Sequence, residues 1–128
     1  MDECVMTSAE MVIWRMIARD LGYEVDECGN PFRRGERRDP VTGEMYCGVM
    51  DWSPLEDDGD SFTLLVQYGI SVAIAPNYVL ASSSFGRQWN GVVREESAGD
   101  LQRAARRAVF LAAGEIVKIR AQLDDLAS

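Results

Sequence analysis

The chain has 128 residues, 47% hydrophobic and 27% charged, a composition that suits one compact domain with a core and excludes wholesale disorder. Its formal net charge of -8 disfavours a general nucleic-acid binder or a protein that adheres to anionic membranes, because both draw affinity from clustered cations. No apolar run is long enough to span a bilayer, and the acidic opening Met1-Asp2-Glu3-Cys4 is unlike a secretory leader, so a cytoplasmic location without membrane partners is expected.

A first helix is predicted from Thr7, where Glu10 three residues later completes a capping box. Met11, Ile13, Trp14, Ile17, Ala18 and Leu21 follow at mostly helical spacing, and Gly22 is a stop signal. Residues 26–44 are dominated by glycine, proline and charge with almost no periodicity, and read as a long Arg-rich loop or a loose hairpin. Met45 to Met50 reads as a short strand. Acidic Glu56, Asp57, Asp58 and Asp60 then mark a helix start, because carboxylates cap free N–H groups and favour the positive end of the macrodipole. This second helix is expected to end near Tyr68, with Gly69 as its stop and Phe62, Leu65 and Val66 as its apolar face.

Ile70 to Ala75 and Tyr78 to Ser82 are rich in β-formers, and Pro76-Asn77 between them suits a tight hairpin. Ser83 to Asn90 is a polar connection leading to a further strand at Gly91 to Arg94. The last helix is capped by Ser97 and Asp100. Leu101, Ala104, Ala105, Ala108, Val109, Ala112, Ile116, Ile119 and Leu123 recur along it at intervals of three and four. Its opposite face carries Arg103, Arg106, Arg107, Glu115 and Lys118. These elements predict an α+β domain: a helix/antiparallel-sheet/helix layered sandwich with three main helices and a sheet of three or four strands.

Several segments together resemble the phage ABA-sandwich domain family and the related NinX-like small phage proteins. The resemblance rests on Ala18-Arg19-Asp20-Leu21-Gly22-Tyr23-Glu24-Val25 and on Trp52-Ser53-Pro54, followed by an acidic stretch. It continues through Asp60-Ser61-Phe62 and Leu64-Leu65-Val66 to the alanine-rich run from Ala104 to Ala113. It implies helix and sheet layers and a phage source, and it brings no established chemistry to residues here. The insert from Arg33 to Arg38 departs from the family pattern and inherits nothing.

Histidine is absent, which removes Ser-His and Cys-His nucleophile pairs, His-containing zinc sites and the commonest general base. No Gly-x-Ser-x-Gly elbow or phosphate-binding Gly-x-x-x-x-Gly-Lys loop occurs, and the only lysine is Lys118. Cys4, Cys28 and Cys47 lack the spacing of a disulfide framework or a zinc site and read as reduced thiols. The acidic cluster lacks calcium-loop spacing, so neither a metal nor another cofactor is expected.

Two stretches are left as candidate binding segments. Arg33, Arg34, Arg37 and Arg38 concentrate positive charge in an acidic chain, and guanidinium groups fork onto phosphate oxygens. The competing reading is a solvated loop whose charges pair with Glu36 and Asp39. Ser83, Ser84, Phe85, Arg87, Trp89 and Asn90 combine hydroxyls, aromatic faces, a cation and an amide, a set suited to a base and its phosphate. The alternative there is an ordinary loop with its aromatics folded over the core. Arg103 and Arg107, with Arg106 between them, are candidates for a third wall.

The leading expectation is a non-catalytic phage anti-defence protein, a homo-oligomeric sponge for a small anionic signal such as a cyclic nucleotide. The alternative is a protein-interaction module that inhibits a host protein through its acidic surface. A carboxylate- or metal-dependent nucleotide phosphodiesterase ranks last.

Overall fold

The computed structural model describes residues 6–84 and 89–127, and at positions 33–38, 46–51, 125 and 127 its backbone only. Helix α1 spans Ser8–Leu21. Both arms of its capping box are present: the Thr7 N–H donates to Glu10 Oε1 at 2.9 Å, and the Glu10 N–H donates to Thr7 Oγ1 at 3.1 Å. Gly22 ends the helix at φ 83, a left-handed conformation that glycine adopts without a Cβ penalty.

The segment 26–44, expected as a long loop or loose hairpin, contains one regular strand flanked by turns. Strand β1 (Glu24–Val25) and strand β2 (Pro31–Arg38) run antiparallel, and β2 pairs from Phe32 to Arg38 with β3 (Met45–Asp51). The register is set by the turn. Asp39 Oδ1 accepts the Val41 N–H at 2.8 Å and the Thr42 N–H at 3.4 Å, while the Asp39 N–H donates to the Glu44 carbonyl at 2.8 Å. Those N–H groups hold the Asp39 carboxyl below its ordinary range, and Gly43 takes φ 75 to close the turn. Arginine and glycine hide the strand from a hydrophobic-pattern reading, yet Asp39-Pro40 and Gly43 are turn formers.

Helix α2 spans Asp58–Tyr68, with Asp57 as N-cap accepting the Asp60 N–H at 2.9 Å and Gly69 as left-handed stop. Its buried residues are Asp60, Ser61, Leu64 and Tyr68, with Leu65 partly buried. Phe62 and Val66, expected on the apolar face, are instead 64% and 58% exposed. Positions 61, 64, 65 and 68 define the inner stripe, and 62 and 66 lie one turn apart on the outer one.

Strands β4 (Ile70–Ile74), β5 (Tyr78–Ser83) and β6 (Val92–Glu96) form a second antiparallel sheet in that order. The expected sheet is therefore accompanied by a separate one made of β1, β2 and β3. Helix α3 runs from Leu101 to Ala127. Asp100 caps it by accepting the Arg103 N–H at 3.0 Å, whereas Ser97 contributes its backbone carbonyl, which accepts the Asp100 N–H. Ala98 and Gly99 turn the chain through positive φ of 46 and 89.

The fold is α+β, and α3 holds it together. One face of α3 covers β4, β5 and β6, and α1 and α2 pack against other faces. This is why Ala104, Ala108, Val109, Phe110, Ala112, Ala113, Ile116 and Val117 are all buried: alanines dominate because layers approach the helix from more than one direction. Ion pairs Glu10–Arg107 and Asp20–Arg120 mark α1 as parallel to α3. Asp58–Arg106 near one end of α2, and Tyr68 beneath Arg120 near the other, do the same for α2. At the α1–α3 crossing Gly114 has no room for a side chain, since a Cβ there would stand 2.7 Å from Ile13 Cγ2. Among the described residues, no helix is long and apolar enough to cross a membrane.

Candidate functional site

Arg33, Arg34, Arg37 and Arg38 all stand in β2, registered against Met50, Val49, Tyr46 and Met45. An extended strand alternates successive positions between its two faces, so positions 33 and 37 fall on one face of the ribbon and 34 and 38 on the other. The ribbon is anchored to α1. There Arg15 donates its Nε–H to the Gly29 carbonyl at 2.8 Å in the β1–β2 turn. Gly29, at φ 86, lets that guanidinium lie against the backbone: a Cβ would come within 2.9 Å of it. Asp26 Oδ1 closes the same turn by accepting the N–H groups of Cys28 and Asn30 at 2.9 and 2.8 Å.

The second candidate stretch sits elsewhere. Ser83 ends β5, buried at 4% exposure on the α3 side of the sheet and paired in register with Ile70. Ser84 turns away: its N–H donates to the Gly69 carbonyl at 2.7 Å, and its Oγ shares a 2.8 Å hydrogen bond with Ser71 Oγ. Phe85 and Arg87 lie outside the described residues. Trp89 is partly buried against the core, its indole so close over Gly91 that a Cβ there would stand 2.6 Å from it. Asn90 is exposed. Trp89 thus packs as the ordinary-loop alternative expects.

Among the described residues, Arg106 and Arg107 of the expected third wall make their contacts away from Ser83 and Ser84. Arg107 bridges Glu10 of α1, through Nη1, and Glu95 of β6, through Nε at 3.1 Å. Glu95 is opposite Val79, whereas Ser82 is opposite Val92, so Arg107 and the Ser83 end of β5 lie toward opposite ends of the sheet. Arg106 is also committed, with Nε–H on the Leu55 carbonyl at 2.9 Å and Nη1 on Asp58 at 2.8 Å. Arg103 is exposed and makes no ion pair among the described residues.

Three polar groups outside the expected binding segments have the most defined surroundings. Glu10 is 6% exposed. Burial raises its carboxyl, but the Thr7 N–H and the Arg107 guanidinium outweigh that and hold it below the ordinary value. Tyr68 is fully buried and donates its O–H to Asp20 Oδ2 at 2.6 Å, while Arg120 pairs with the same oxygen at 3.2 Å and lies over the ring. Burial first, and then Asp20, push the phenol upward. Trp52 is 1% exposed with its indole N–H unpartnered among the described residues. Its ring meets Tyr23 edge-on at 4.9 Å, and its carbonyl accepts the Trp14 indole N–H at 3.1 Å. Capping explains Glu10, but nothing in sequence pairs residues 20, 68 and 120.

Within the described residues no cluster of three or more metal-ligating side chains is present. Arg94, Arg106, Arg107, Lys118 and Arg120 each form an ion pair. No family model matches this chain, and neither does any curated protein or solved structure.

Proposed function

We propose that the protein is a non-catalytic binding module that holds a small anionic, nucleotide-derived molecule at the arginines of β2. In the host cell it acts as a phage anti-defence protein that sequesters such a signal. One observation carries the reading: four of the thirteen basic residues stand on one regular strand of an acidic chain. A paired strand supports this better than a loose loop, because its backbone is ordered before the ligand arrives and less entropy is lost on binding. The lack of histidine supports holding over turnover, and the resemblance to phage ABA-sandwich proteins supports the biological setting.

Isothermal titration with cyclic dinucleotides, cyclic trinucleotides and cyclic ADP-ribose variants tests the reading. Saturable binding to one class, weakened by salt and lost in an Arg33→Ala/Arg34→Ala/Arg37→Ala/Arg38→Ala variant, is expected. Absence of heat with every class overturns it. A second reading, docking of a basic host protein, is favoured by exposed Phe62 and Val66 beside exposed Glu56, Asp57 and Asp58. A stoichiometric protein partner whose binding is lost on Phe62→Asp, together with no small ligand, would select it.

A further inference from the structure

Helix α3 is longer than the layers it holds together. Its 27 residues span about 40 Å, against about 21 Å for the 14 residues of α1. Val117 is its last buried residue among those described, and from Lys118 onward the helix is exposed or only partly covered. The apolar stripe does not stop with the burial. Val109, Ala112, Ile116, Ile119, Leu123 and Leu126 alternate at steps of three and four, the seam spacing of paired helices. The stripe leaves the core as it advances: Ile116 is fully buried, Ile119 partly covered, Leu123 59% exposed and Leu126 82% exposed. Two leucines on one line along the helix form a face suited to another helix.

The charges beside the stripe identify that helix. One flank carries Arg120 and then Asp124 one turn later, and Lys118 precedes both. The sequence therefore passes from basic at 118–120 to acidic at 124–125. Two copies of this segment laid antiparallel about a two-fold axis near residue 122 bring each copy's basic half level with the other's acidic half. The leucines meet between them. Arg120 then stands beside Asp124 of the second copy on the flank where it already pairs with its own Asp20. A two-fold interface needs a surface complementary to itself, and this segment meets that condition.

We propose that the stripe formed by Ile119, Leu123 and Leu126 is an interface with a second copy of this chain, packed antiparallel over the last turns of α3. The overlap is short, so the dimer is concentration-dependent and belongs to the small class of interfaces. It makes no use of β2, and it is tested without any ligand.

Sedimentation velocity of the full chain across a series from micromolar to millimolar concentration is the test. A monomer–dimer equilibrium is expected. The variant Leu123→Asp/Leu126→Asp is expected to remain monomeric throughout with an unchanged far-ultraviolet circular dichroism spectrum, because both side chains are exposed in the single copy. Asp124→Arg, which sets base against base, is expected to weaken the dimer, and more so at low salt. A monomeric wild type at every concentration overturns the proposal. So does a dimer that the leucine variant leaves intact.

Discussion

Replacing Arg107 by methionine leaves the Glu10 carboxylate buried beneath α3 with Thr7 as its remaining partner among the described residues. The Glu10 side chain is 8% exposed, whereas Arg107 and Glu95 are 36% and 21% exposed. Removing one partner of a fully buried pair costs about 3–5 kcal/mol, and an exposed pair contributes about 0–1 kcal/mol. With one carboxylate buried and the guanidinium partly in water, the loss falls between these limits, at about 2 kcal/mol. For a chain of this size that lowers Tm by roughly 6–10 °C. Urea unfolding near neutral pH measures it. Adding Glu10→Gln to Arg107→Met is expected to recover about half the loss, because it removes the stranded charge and keeps the cap acceptor. The pH dependence has a fixed sign. The Glu10 carboxyl is lowered in the folded state, so its stabilisation is fully present above the ordinary glutamate value of about 4.3 and is lost as pH falls through the lowered folded value. The advantage of wild type over Glu10→Gln should shrink along that acid limb. An Arg107→Met protein as stable as wild type, or one that Glu10→Gln does not rescue, refutes the reasoning.

Other substitutions probe the packing directly. Leu64→Ala should cost about 2–5 kcal/mol in chemical denaturation while Phe62→Ala stays within about 0.5 kcal/mol, the reverse of what a core Phe62 requires. Tyr68→Phe removes a buried hydroxyl that donates to Asp20, and an expected loss of about 1–2 kcal/mol should diminish when Asp20 is also replaced by Asn. Gly114→Ala gains about 1 kcal/mol of helix propensity but drives a methyl into Ile13, so it should be net destabilising, and Ile13→Ala in the same chain should relieve it.

Capping and turn chemistry made much of the fold legible. Thr7 with Glu10, Asp57 to Asp60, and glycines 22 and 69 placed the ends of α1 and α2, since each signal acts within a few residues. Richness in β-formers and the Pro76-Asn77 turn found β5, whose odd-numbered residues Val79, Ala81 and Ser83 are buried beneath α3. Two kinds of information were not local. Strand β2 carries no apolar alternation between Arg33 and Arg38; its pairing follows from the Asp39–Gly43 turn and from β3, which the composition of β2 cannot announce. The inner face of α2 was misassigned because Phe62 and Val66 are as apolar as Leu64 and Leu65. The choice between stripes is made by where α3 lies, not by α2 itself.

The candidate site was legible in one dimension only. Its residue types are plain in the sequence, and the structure keeps the β2 arginines on one element. The structure also separates Arg107 from Ser83 and commits it to Glu10 and Glu95, ion pairs that join residues distant in the chain or on different elements.

Binding without turnover is the centre of the account. Native mass spectrometry of the chain incubated with the nucleotide class that gives heat in titration, followed by release and mass analysis of the bound molecule, addresses it most directly. The account predicts a discrete complex whose released ligand has the mass of the molecule added, and no complex when the four β2 arginines are alanine. A released ligand of altered mass, or a complex unaffected by loss of those arginines, would contradict it.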